Sequence, residues 1–444
     1  MTITDALYRL PFARTVFLLA ITFGLVLATQ PASAQTYSVL HYFVGTDGSS
    51  PQPALIRDSA NNLYGVTLYG GDPGCYNGCG TIFKIDSTGA LSTLYSFRGS
   101  SDGYQPYESL LRDSAGNLYG TASYGGNGGQ CGNAGGACGT AFKLSPSDSL
   151  TVTHTFADTP DGATPPPGHL VADPNGNQYG TTAYGGSHGY GTVFEITSAG
   201  REKILYSFGS LSTDGNTPLA GLIVDVPGRA LYGTTEFGGN CPYGSIFGFG
   251  CGTVYKLDSS GETQLYIFTG AQDGANPSQN LAQDSAGNLY GTTEEGGDVN
   301  CSIAAPRPVS AALRPSRPLM EQGPPGCGVV FKVDPNTHQE TVLYSFTGGT
   351  DGSFPVSGVV LDPAGNIYGA TSESGNSNCN PPYGCGTIFK IDTKGNFTVL
   401  HAFAGPEGAD PEWGSLLLDG AGNLYGTTSA GGTNNNGVVF KITP

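Results

Sequence analysis

Four carboxylates stand where the chain departs from its own repetition. Seven times the sequence reaches a small-residue pair, mostly Gly-Gly, and the two residues before it differ from copy to copy. The first three copies carry Leu68-Tyr69, Ser123-Tyr124 and Ala183-Tyr184 there. The next three carry Glu236-Phe237, Glu294-Glu295 and Ser372-Glu373, and the last carries Ser429-Ala430. Aromatic faces stack on sugar rings, and carboxylates accept hydroxyl hydrogen bonds or hold a cation. Paired carboxylates can also do the acid/base work of glycoside cleavage. The same residues read equally as solvated strand ends with no task.

Other reactive types are sparse. His41 and His401 replace the Tyr of a recurring Tyr-x-Phe motif and His154 lies in the same segment, so all three read as packing residues. His169, His188 and His338 fall in loops, and none of the six adjoins a local nucleophile motif. Trp413, the single tryptophan, reads as a stacking platform or as core. A recurring acid opens the pattern Asp-Gly-x-x-Pro: Asp47, Asp102, Asp161, Asp214, Asp273 and Asp351, with Glu407 in the last copy. A residue present in every copy serves the copy, here by accepting backbone N–H groups of its own turn.

What positions these residues is a unit written seven times. Its marker is a tripeptide ending Tyr-Gly, with tyrosines at 64, 119, 179, 232, 290, 368 and 425. Such periods point to propellers or arrays. Within each unit, alternating β-branched and aromatic runs predict four short strands. In the first unit they fall near Ala54–Arg57, Asn62–Leu68, Thr81–Ile85 and Ser92–Phe97, here called strands A to D. Asp113-Ser114-Ala115-Gly116 and Asp258-Ser259-Ser260-Gly261 have the form of type I turns closed by a left-handed Gly. The predicted fold is all-β, a seven-bladed propeller, whose radial repetition protects strand edges. The chain ends sharpen this: Tyr37–Phe43 resembles a strand D, while Gly437–Ile442 resembles a strand C with no D after it. The N-terminal strand is expected to complete the last blade. The B–C loops and the D-to-A connections then share one face, where binding residues usually sit.

Composition bounds the setting. Residues 1–34 have the form of a secretory leader: Arg9 and Arg14, an apolar run from Thr15 to Ala28, and Ala32-Ser33-Ala34 for cleavage. No second apolar segment is present to span a membrane. Ten cysteines fall in pairs inside single B–C loops: Cys75/Cys79, Cys131/Cys138, Cys241/Cys251, Cys301/Cys327 and Cys379/Cys385. They predict five local disulfides worth roughly 2–3.5 kcal/mol each, and their separation on different blades argues against a zinc site. The longest such loop, Asp298 to Cys327, holds Arg307, Arg314 and Arg317 and reads as a flap or a tolerated insertion. A net charge of −17 makes nucleic acid and anionic membranes poor partners.

The unit L-Y-G-T-T-x-x-G-G … G-T-V-F-K-I-D … V-L-Y-S-F-x-G-x-x-D-G-x-x-P resembles the bacterial tandem repeat called GloVer, over essentially all of residues 36–444. That resemblance implies an exported propeller and gives no catalytic residues to carry over. Many members bear a C-terminal sorting tail, whereas this sequence stops at Pro444 directly after a strand. Release into the periplasm or the medium is therefore expected in place of covalent anchoring. The expected function is non-catalytic binding of a carbohydrate or an extracellular protein by a monomer, without a cofactor or metal. The alternative is an extracellular hydrolase or lyase at the channel mouth.

Overall fold

The computed structural model describes residues 35–444 other than 100, 108, 127–137, 167, 211–212, 226–229, 242–249, 299, 302–325 and 413. The leader, Cys131, the three arginines of the long loop and Trp413 lie outside the described residues. Seven four-stranded antiparallel sheets each run in the order A-B-C-D. They form a seven-bladed β-propeller. The first blade is Ser49–Arg57, Leu63–Tyr69, Thr81–Ile85 and Leu91–Ser96. Its strand A begins five residues earlier than the sequence suggests, because a bulge between Gln52 and Ile56 lets pairing resume. Elsewhere strand A is two residues long, as at Leu111–Arg112 and Val171–Ala172.

Closure is direct. Thr36–Tyr42 pairs antiparallel with Val438–Thr443, from Thr36 opposite Thr443 to Tyr42 opposite Val438. The first strand of the described chain is thus strand D of the seventh blade. Among the described residues, no helix is long and apolar enough to cross a membrane.

The Gly of the tripeptide is required by a close approach. Gly65 faces Phe83 across strands B and C, and a Cβ there would lie 2.6 Å from the ring. The same pairing sets Gly120 against Phe142, Gly291 against Phe331 and Gly426 against Phe440. An aromatic ring laid over a glycine fills the missing side-chain volume of the sheet. Each of these rings also receives the edge of a strand-D Phe from the preceding blade. Phe97–Phe142, Phe156–Phe194 and Phe268–Phe331 have centroids 5.1–5.2 Å apart. The circuit closes through Phe403–Phe440 at 5.5 Å and Phe43–Phe83 at 5.2 Å. Such edge-to-face pairs add about 0.5–1.5 kcal/mol each beyond area burial. In the fourth blade the central ring is Tyr255, buried against Phe208.

The tripeptide Tyr serves the opposite face. Tyr64 donates its hydroxyl to Asp58 at 3.0 Å, and Asp58 accepts the backbone N–H groups of Ala60 and Asn62. Those bonds hold the Asp58 carboxyl below its ordinary range even though burial opposes them. Asp113, Asp173, Asp284, Asp362 and Asp419 repeat the arrangement. The run Asp173–Asn177 is accordingly the A–B turn of its blade. Gly116 takes the left-handed conformation (φ +85°) that the turn pattern requires.

Candidate functional site

On the loop face, the seven recurring acids do structural work. Asp47, Asp102, Asp161, Asp214, Asp273, Asp351 and Glu407 each accept a backbone N–H within their own connection. Their second partner is the strand-D Tyr or His. Tyr95 donates to Asp102 at 2.8 Å, and His154 Nε2 lies 3.1 Å from Asp161. His41 and His401 likewise meet Asp47 at 2.8 Å and Glu407 at 3.6 Å. The three histidines do pack, edge-on to Phe43, Phe156 and Phe403 at 4.8–4.9 Å. The sequence reading missed their acidic partners, because each partner lies beyond the end of the strand.

The aromatic candidates of blades 1–3 come together. Tyr124 is within electrostatic reach of Tyr69, Tyr104 and Tyr184, and burial pushes its hydroxyl well above the ordinary range. Tyr104 stacks on Tyr124 with centroids 5.3 Å apart. Tyr107, absent from the sequence reading, belongs to the same group. It is 4% exposed, and its neighbours include Tyr69, Tyr124 and Glu412 of blade 7. The Tyr107 hydroxyl has no hydrogen-bond partner, and neither does the side-chain amide of Gln52, which is 1% exposed. Gln52 and Tyr107 follow the connection proline in adjacent units, Pro51 and Pro106. Phe237 is half-buried and pairs through its backbone with Asn216.

Glu236, Glu294, Glu295 and Glu373 are 3–8% exposed, so they are buried residues and not solvated strand ends. Glu295 and Glu373 bridge to Ala275 and Ser353 in the register by which Tyr124 bridges to Tyr104. One backbone position thus presents an aromatic on blade 2 and a carboxylate on blades 5 and 6.

At the axis, a cavity of about 500 Å³ is walled by Ile56, Leu111, Val171 and Ile223 from four blades. Ser109, His169, Asn280 and Ser415 line the same cavity. Burial pushes the His169 imidazole down to about 4, with a hydrogen bond to Asn280 opposing the shift, so the ring is neutral at physiological pH. The Gly221 N–H donates to Asn280 Oδ1 at 2.6 Å. A Cβ on Gly221 would clash with His169 and one on Gly358 with Ser415, so backbones close in around the axis here. From sequence His169 reads only as a loop residue. Comparing Ala54, Ser109, His169, Gly221, Asn280, Gly358 and Ser415 in the seven units would have flagged it, since only His and Asn are large.

On the outer rim, Glu262 and Glu340 are half-buried beside the connection acids. Burial first, then Asp214 and Asp273 respectively, push their carboxyls up to about 7. Four disulfides staple B–C loops as the cysteine spacing predicts: Cys75–Cys79, Cys241–Cys251, Cys301–Cys327 and Cys379–Cys385, with Cα separations of 5.0–5.8 Å. Five were expected. The fifth expected pair is Cys131 with Cys138, and Cys131 lies outside the described residues. Cys138 itself is 1% exposed and packs with Ala141, Phe156 and Ala163 in the core between blades 2 and 3. Among the described residues, no cysteine is free.

The architecture is shared widely. The chain is similar to virginiamycin B lyase from Staphylococcus aureus at 12% identity, covering 92% of this chain and 99% of that one, with a TM-score of 0.53. It is similar also to the GH74 enzyme of Niastella koreensis at 16% identity, covering 91% of this chain but 53% of that one, again with a TM-score of 0.53. At such identities the likeness shows the fold alone. No curated protein matches the sequence. The profile of the Gloeobacter/Verrucomicrobia repeat, in contrast, matches residues 20–247 and 319–444. The chain belongs to the Gloeobacter/Verrucomicrobia repeat family.

Proposed function

We propose that the protein is exported, with residues 1–34 as its leader, and that it binds a carbohydrate without catalysis through the tyrosine arc of its loop face. One observation carries the reading: Tyr69, Tyr107, Tyr124 and Tyr184 converge from three blades. The half-buried rings of Tyr69 and Tyr184 offer stacking faces to a sugar. Local disulfides suit an oxidising compartment, and a charge of −17 disfavours polyanionic ligands.

A glycan-array screen of residues 35–444 tests this. Wild-type protein should capture a defined glycan class and Tyr124→Ala should not; absence of capture by folded wild-type protein would overturn the reading. A hydrolase or lyase acting at the channel mouth is the second reading. Burial of Glu236, Glu294, Glu295 and Glu373 is the observation in its favour. Release of product from a captured glycan would establish it.

A further inference from the structure

Seven blade junctions follow one plan on the rim of the loop face. The outermost strand of one blade offers a Tyr or His to the acid of the following connection. The next blade's outermost strand adds a side chain beside that pair: Phe397 stacks on Tyr344 and Tyr37 on His401, both at 3.9 Å. In chain order the first position is His41, Tyr95, His154, Tyr206, Tyr266, Tyr344 and His401. The added side chain at the same seven junctions is Leu91, Leu150, Glu202, Glu262, Glu340, Phe397 and Tyr37. Only where blade 2 meets blade 3 does a strand-D His, already paired with its connection acid, also meet a Glu added by the next blade's outermost strand.

We propose that His154, Asp161 and Glu202 bind a divalent transition-metal ion that clips blade 2 to blade 3. One nitrogen and two carboxylate oxygens, all half-buried, lie within 4.8 Å of one another. His154 Nε2 and Asp161 Oδ2 are 3.1 Å apart. Ligands at bonds of about 2.0–2.1 Å around a tetrahedral ion stand about 3.3 Å from each other. One edge of the polyhedron is therefore already at ligand spacing, and only Glu202 has to move inward. Glu202 Oε1 is shielded from solvent and has no hydrogen-bond partner, a state shared by Glu262 Oε1 and Glu340 Oε1, but only Glu202 has an imidazole beside it to complete a ligand set. Among the described residues, no Lys or Arg pairs with Asp161 or Glu202, so nothing else there balances the two adjacent carboxylates. An imidazole with two carboxylates suits Zn²⁺ or Mn²⁺, whereas Ca²⁺ prefers six to eight oxygens. Three protein ligands leave a position for water on the rim.

The repeat supplies substitutions that keep the fold. His154→Tyr and Glu202→Leu install residues that other junctions already carry, and His41→Tyr does so at a His–Asp pair without a Glu. Chelator-stripped residues 35–444 would be titrated calorimetrically with Zn²⁺, Mn²⁺ and Ca²⁺, with Co²⁺ absorption reporting coordination geometry. The expected result is a single Zn²⁺ or Mn²⁺ per chain, weakened at least about tenfold in His154→Tyr and Glu202→Leu and unchanged in His41→Tyr. No stoichiometric binding, binding that survives both substitutions, or preference for Ca²⁺ would overturn the assignment.

Discussion

The aromatic belt and the tyrosine arc arise from the same strands, a few residues apart, and obey opposite rules. In the belt every blade repeats one solution, a strand-C ring over a strand-B glycine with the next ring edge-on to it. In the arc the same position changes around the ring: Tyr on blades 1–3 gives way to Phe237, then to Glu295 and Glu373, and then to Ala430. Recurrence marks what each blade needs in order to pack. Departure from recurrence, at a position that is buried and clustered, marks what only the assembled ring can use. The recurring acids illustrate the first rule: seven carboxylates that resemble a site prove to be turn acceptors.

The comparison breaks most visibly in the belt. Phe43 comes from the N-terminal strand and Phe268 from the middle of the chain, yet both make the same edge-to-face contact, at 5.2 and 5.1 Å. Phe43→Ala and Phe268→Ala should each cost about 3–5 kcal/mol in urea denaturation. If the closing strand frayed, Phe43→Ala would be nearly silent. A smaller effect of opposite sign is expected at Tyr255, where the belt carries a buried hydroxyl without a partner. Tyr255→Phe, restoring the residue of the other six blades, should gain about 1 kcal/mol.

The outer rim gives the mildest test. Glu262 and Glu340 are pushed up to about 7 from an ordinary value near 4.3. The folded state therefore holds protons that the unfolded chain releases. Their contribution is full below about pH 4 and is lost as pH rises through about 7. His169, pushed down to about 4, acts at the other end, where stability falls as pH drops below about 6.5. Above the His169 range, between about pH 6.5 and pH 8, melting temperature should decline in the wild type and decline less in Glu262→Gln/Glu340→Gln. Solvent screening keeps each Glu below about 1 kcal/mol. An equal decline in both proteins would refute the rim assignment.

Much of the fold was legible because it is periodic. Seven Tyr-Gly tripeptides, and a strand D at the front with a strand C at the back, specify a closed ring, and Thr36–Tyr42 pairs as that offset requires. The reason for the tripeptide glycine was not legible, since it depends on which residue of strand C lies opposite. The candidate site was half legible. Tyr69, Tyr124 and Tyr184 stood out against the repeat, but Tyr107 sits where every unit differs: Gln52, Tyr107, Pro166, Leu219, Ser278, Val356 and Glu412. His169 reaches the axis only because the inner strands of all blades converge there. The acids beside His41, His154 and His401 are six or seven residues onward, past the strand end, where local motif reading does not look.

The most direct test is a substitution that the molecule itself already tolerates. Blade 7 carries Ala430 where blade 3 carries Tyr184, so Tyr184→Ala should leave the melting temperature almost unchanged. Affinity for the captured glycan, measured by calorimetry, should drop about tenfold, equivalent to about 1.4 kcal/mol of lost stacking. Unchanged affinity in a folded Tyr184→Ala protein would contradict the claim that the tyrosine arc is the binding surface.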